Sequence, residues 1–185
     1  TALQAASINE TADLLLSAAG NWARERGAVN LALNAPNLPS PAHLDAISAS
    51  RHAADESFND ALVRMAAQSF AGRDQLIAAS KQASEQATIL RLKVDQELGR
   101  SEKDRDASVT RSWAPTLTGL IVASQNLRVA AAMEHDAVQT QLSNLQNYKH
   151  SLWVISEYLG RERAAISAFI AASKPMAIDD INSLA

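Results

Sequence analysis

Cysteine is absent from this chain. That removes disulfides, thiolate metal ligands and thiol nucleophiles together. A cysteine-free chain suits an oxidising compartment without requiring one. Glycine (6) and proline (5) are scarce among 185 residues, and aromatics are 4%. That balance favours helix over sheet, and no segment alternates apolar and polar residues between hairpin turns. Neither sign of charge dominates: 17 Lys+Arg against 20 Asp+Glu leaves −3. No basic field is present to draw nucleic acid or anionic lipid. No run approaches the roughly 20 apolar residues of a membrane helix. The chain starts at Thr1 with no initiator Met or leader and reads as a piece excised from a larger protein.

Catalytic signatures are missing too. There is no glycine-rich phosphate loop, HExxH, GxSxG or EF-hand loop. The four histidines (His43, His52, His135 and His150) are scattered, and the carboxylates are spread along polar faces. No metal set, cofactor or acid–base pair stands out, so the expectation is a protein that is not an enzyme.

What the chain does hold is apolar residue at helical spacing. Hydrophobic residues are 47% of the total, enough for one domain with a core over residues 1–185. Helices are expected at about 5–33, from 41 through Met65, and at about 73–98, 107–135 and 138–173, with a short amphipathic helix through Ile178, Ile181 and Leu184. Pro36 and Pro39 stop the first. Ser40-Pro41 opens the second as N-cap and first helical residue. Gly72 and the charged stretch 99–106 separate the next. Pro115 is expected to start the regular part of the fourth. Helices of about 25 to 35 residues with short links predict an all-α, antiparallel up-down bundle of four to six helices.

One stretch recurs. NWARERGAVNLALN (21–34) aligns with YLGRERAAISAFIA (158–171), setting Arg24-Glu25-Arg26-Gly27 on Arg161-Glu162-Arg163-Ala164. Trp22, Arg26, Val29 and Leu33 follow a 4-3-4 spacing, as do Leu159, Arg163, Ile166 and Ile170, so each set shares one helix face. Each copy thus places an arginine on a stripe expected to face inward, extended in the last helix by Leu145 and Leu152. Arg24 and Arg161 fall about 200° away, toward water. Arg51 also nears an inner face. Asp55, one turn on, is open to Arg51 or to Arg26. Arg128 lies on one of two possible stripes of the fourth helix and flanks the other. A buried arginine needs a partner. It is either a carboxylate in a structural ion pair or a small oxyanion held by converging guanidiniums. Trp22 reads as core or as the wall of such a pocket.

Taken together, ARERGAVNLAL, the Pro-rich turn, SPAHLDAISASRHAADESFNDAL, EYLGRERAAISAFIA and PMAIDDINSL resemble the nitrate- and nitrite-sensing (NIT) domain. The matching motifs are Glu25-Arg26-Gly27, Arg51 with Asp55, and Glu162-Arg163-Ala164, and the likeness covers about 13–184. The resemblance implies a helical sensor domain of a bacterial chemoreceptor or related signalling protein. It implies a periplasmic position in an inner-membrane protein and a homodimer. It also implies that Arg26 and Arg163 hold nitrate, nitrite or a small organic acid. Arg51 and Trp22 complete the candidate ligand-binding set. The competing expectation is an interaction or dimerisation bundle without a small ligand.

Overall fold

A computed structural model describes residues 2–133 and 140–182. His135, Val138 and Leu184, named above, lie outside them. Within the described residues the chain is all-helical: α1 (Ala2–Asn34), α2 (Pro41–Ala66), α3 (Arg73–Leu98), a 3-10 turn (Glu102–Asp104), α4 (Ala107–Met133), α5 (Thr140–Ala171) and α6 (Ile178–Asn182). The long helices have 26 to 33 residues.

Local chemistry explains the breaks. Ser40 accepts from the His43 amide and Pro41 takes the first helical position of α2. Gly72, in the left-handed region at φ 71°, turns the chain into α3. α4 is already regular at Ala107, eight residues before Pro115. The reason is Asp106. Its carboxylate accepts from the Ser108 amide at 2.7 Å, and hydrogen bonds from Ser108 hold that carboxyl below the usual range. Arg105 closes the far end of α1, donating to the carbonyls of Ala32, Leu33 and Ala35 at 3.0, 2.9 and 2.7 Å.

The first four helices form the up-down bundle. α2 runs antiparallel to α1: Ser17 meets Ser57, and His43 meets the Ala28 carbonyl. α4 is also antiparallel to α1, with Thr118 against Arg26 and Gln125 against Leu15. One core joins them through Leu15, Trp22, Val29, Phe58, Trp113 and Ile121. Trp22 meets Phe58 edge to face with centroids 5.1 Å apart.

α5 keeps the up-down alternation, lying beside α1 in the same direction and pairing Gln146 with Asn9 and Ala164 with Asn30, but it is rotated away from the expected face. Its expected inward stripe faces out: Leu152, Leu159 and Ile170 are 67%, 60% and 71% exposed. The buried face instead carries Gln146, Glu157 and Ala164, with Trp153 packed on the core. A polar requirement outweighs the apolar stripe here. Arg26 is sealed in the core and needs a counter-charge, and Glu157 supplies it only when α5 turns that face inward.

Candidate functional site

The arginines sort into three environments. The first is a buried ionic cluster on α1, α2 and α3. Glu25, fully buried, accepts from Arg91 Nε and Nη2 at 2.9 and 2.6 Å and from Arg51 Nε at 2.8 Å. Arg51 also grips Asp95 with both terminal nitrogens, at 2.9 and 3.0 Å. Arg91 donates to Asp55 Oδ2 at 2.8 Å, and Trp22 Nε1 donates to Asp55 Oδ1 at 3.1 Å. Burial works against the charge on Arg51, but its hydrogen bonds to Asp95 and Glu25 prevail and hold it more firmly protonated than usual. Every donor edge of this cluster faces a carboxylate, which is the arrangement of a structural network.

The second environment surrounds Arg26. Its Nη1 lies 2.6 Å from Glu157 Oε1 and 2.8 Å from the Thr118 hydroxyl, and Nη2 lies 3.2 Å from Glu157 Oε2. Arg161 joins from outside, its Nε 2.8 Å from Glu157 Oε1. Asp55, one of the partners left open for Arg26, is taken by Arg91 and Trp22. Arg128 forms a variant of this theme. It is buried on α4, and among the described residues its side chain is hydrogen-bonded to no carboxylate: its partners are Gln125 Oε1 at 2.6 Å and His150 Nδ1 at 3.0 Å. Loss of water lowers its affinity for the proton.

The third environment is a groove between α1 and α5. About 330 Å³ in volume, it is lined by Arg24, Gly27, His43, Gly160, Arg163 and Ser167 among others. Both arginines are exposed and have no carboxylate partner among the described residues. Arg24 donates to Asn21 Oδ1 at 2.9 Å, and Arg163 has no hydrogen bond there. His43 Nε2 lies 3.0 Å from the Ala28 carbonyl, so that nitrogen carries a proton.

The expected site therefore does not assemble as a unit. Arg26 and Arg163 do not converge: one guanidinium is neutralised by Glu157 in the core, and the other lines an open groove. Arg51 is committed to Glu25 and Asp95, and Trp22 is fully enclosed. Arg24, expected only to meet water, is the arginine that shares a groove with Arg163. Glu157 and Arg91 were missed, although the 4-3-4 rule marks both: Trp153, Glu157, Gly160, Ala164 and Ala87, Arg91, Val94, Leu98. Among the described residues no group of three His, Asp or Glu is placed to hold a metal ion, and no helix is long and apolar enough to cross a membrane.

In comparisons with known proteins the chain matches no family model, no curated protein and no solved structure.

Proposed function

We propose that this domain is a ligand-sensing input module of a transmembrane signalling receptor, a chemoreceptor in the simplest case, standing on the periplasmic side of the membrane. Its ligand is a small anion, nitrate, nitrite or a small organic acid, taken in the α1–α5 groove by Arg24 and Arg163. The observation that carries this reading is that one groove is lined by two guanidiniums with no carboxylate partner among the described residues, beside a core whose Arg26, Arg51 and Arg91 are all neutralised. The motif resemblance to NIT domains supports the same ligand class.

Planar oxyanions suit this geometry, because each guanidinium donates in parallel and the two helices contribute one apiece. An anion bridging Arg24 and Arg163 ties α5 to α1. It binds tighter to the helix arrangement that brings them together, which is the differential affinity a switch requires. A small displacement of α5 along α1 is then the output, with coupling of about 1 to 3 kcal/mol.

Thermal unfolding against a panel of nitrate, nitrite, chloride, acetate and dicarboxylates tests it. Ligand at about 100 times its dissociation constant adds about 2.7 kcal/mol, a rise of roughly 5 to 10 °C for a chain of this size. The rise is expected to disappear in both Arg24→Ala and Arg163→Ala and to persist in Arg161→Ala. A flat panel sinks the sensor reading, and a rise that survives both variants moves the ligand elsewhere. The second reading, a dimerisation bundle, draws on the uncovered apolar face of α5.

A further inference from the structure

We infer that the α1–α5 groove is the head end of a longer furrow, and that its ligand is a monocarboxylate with an alkyl tail of about eight to ten carbons. This deepens the anion reading above and rests on it. A second cavity, of about 340 Å³, opens between the same two helices nearer their N-terminal ends. Ala23 lines both cavities, so they meet end to end. Leu16, Gly20, Ala23, Gly27 and Leu31 follow steps of 4, 3, 4 and 4 on α1. Leu152, Ser156, Gly160, Arg163 and Ser167 follow steps of 4, 4, 3 and 4 on α5. Each row keeps to one helix face. The helices run in the same direction, so the two rows border one furrow along its length.

The ends of this furrow differ in chemistry. The head holds Arg24 and Arg163, which have no carboxylate partner among the described residues. The tail end is walled by Leu16, Ala19, Ala23, Leu152 and Trp153. Its charged groups are already engaged: Lys149 holds Asp13 at 2.6 Å, and Arg26 and Arg161 hold Glu157 at 2.6 and 2.8 Å. An alkyl chain laid there covers Leu152, 67% exposed, and leaves no charge unmet. A dicarboxylate is disfavoured, because the cation at the far end, Lys149, is committed to Asp13 and Asn9. From Arg24 back to Leu16 is about 12 Å at 1.5 Å per residue. An extended chain gains about 1.2 Å per bond, which sets the length of the tail.

Glycine keeps the furrow open. Of the chain's 6 glycines, Gly20, Gly27 and Gly160 line it. All three lie inside helices, where glycine is a poor choice. A Cβ at Gly20 or Gly27 would meet nothing within 4 Å, so helix packing demands neither. What a side chain there would fill is the furrow itself.

A chain-length series on the whole chain tests this: acetate, butyrate, hexanoate and octanoate, with octan-1-ol as a tail without a head. Thermal unfolding and tryptophan fluorescence read binding. Trp153 reports from the furrow, because Trp22 and Trp113 are fully enclosed. A methylene fully buried gains about fourfold in affinity, and one half-covered about twofold. Octanoate is therefore expected to bind at least about 50-fold tighter than acetate. It is expected to bind at least about 10-fold tighter than octan-1-ol, which forgoes the charge-assisted hydrogen bonds. Gly20→Leu fills the apolar end, since a helical leucine leans toward the preceding turn, and leucine is the better helix former. It is expected to cut the octanoate-to-acetate ratio below about 5-fold and leave the acetate response unchanged. Arg163→Ala is expected to abolish both responses. Octanoate no tighter than acetate, or a response to nitrate alone, overturns the tail and leaves the anion reading standing. An unchanged ratio in Gly20→Leu overturns the placement of the tail. Octan-1-ol binding as tightly as octanoate, or no response to the series, nitrate or nitrite, overturns the head as well.

Discussion

α1 and α5 carry versions of the same segment and use it in opposite ways. In α1 the stripe of Trp22, Arg26, Val29 and Leu33 is the centre of the bundle, each residue buried. In α5 the matching Leu159, Arg163, Ile166 and Ile170 look outward. Glu25 is fully enclosed between Arg51 and Arg91, while its counterpart Glu162 is half-buried and has no ion-pair partner among the described residues. What differs is the surroundings. α1 is wrapped by α2, α4 and α5, so its stripe has apolar neighbours on every side. α5 touches the bundle along one edge, and that edge is polar: Asn9, Asp13, Arg26 and Asn30 on α1 ask for hydrogen-bonding partners. A stripe pattern reports that a face is fit for burial. Whether it is buried in the same chain depends on what the neighbouring surface demands.

Paired substitutions at the matched positions put this contrast at risk. The largest gap is expected between Trp22→Ala and Leu159→Ala. The first empties a core site and strips Asp55 of a donor, costing about 5 kcal/mol; the second, measured in the monomer, costs under about 0.5 kcal/mol. Urea denaturation reads both, and similar losses would mean that α5 is buried in solution. Next comes Glu25→Ala, which leaves Arg51 and Arg91 under-compensated and is expected to cost about 3–5 kcal/mol, against under about 0.5 kcal/mol for Glu162→Ala in the monomer. A third pair is Arg26→Met and Arg163→Met. Removing Arg26 strands Glu157 with only the half-exposed Arg161, at about 3 kcal/mol, while Arg163→Met should leave the unfolding midpoint unchanged within error and abolish the anion-induced shift. Among the buried residues the smallest effect is expected at Arg128→Met, within about 1 kcal/mol of wild type. There the lost hydrogen bonds to Gln125 and His150 are offset by relief from burying a cation that no carboxylate among the described residues hydrogen-bonds. A loss as large as that of Arg26→Met would show that Arg128 has a counter-charge in solution.

Much of the fold was legible because its signals are local. Pro36, Pro39, Ser40-Pro41, Gly72 and Gly99 mark ends through backbone geometry that acts within a few residues. The inward position of Arg26 followed from spacing alone. Its partner did not, because Glu157 sits among Gly160 and Ala164, whose small side chains make a weak stripe beside the Leu and Ile residues on the other face. Arg91 was hidden for a related reason: the same helix offers Leu76, Ala83 and Leu90 as a competing line. The α1–α5 groove had no local signal. It exists because α5 lies alongside α1 in a particular rotation, and that rotation is set by an ion pair between residues 131 positions apart.

The hold of Arg105 on the carbonyls of Ala32, Leu33 and Ala35 bears on the order in which the chain acquires its structure. The last turn of α1 is completed by a residue 70 to 73 positions downstream, one that arrives only after α2 and α3 have folded back along it. Closing so long a loop carries an entropic cost that the rest of α1, stabilised within its own turns, does not face. Pulse-labelled hydrogen exchange during refolding would therefore find the amides near Leu33 protected later than those near Trp22. In Arg105→Ala that delay should give way to a permanently frayed end.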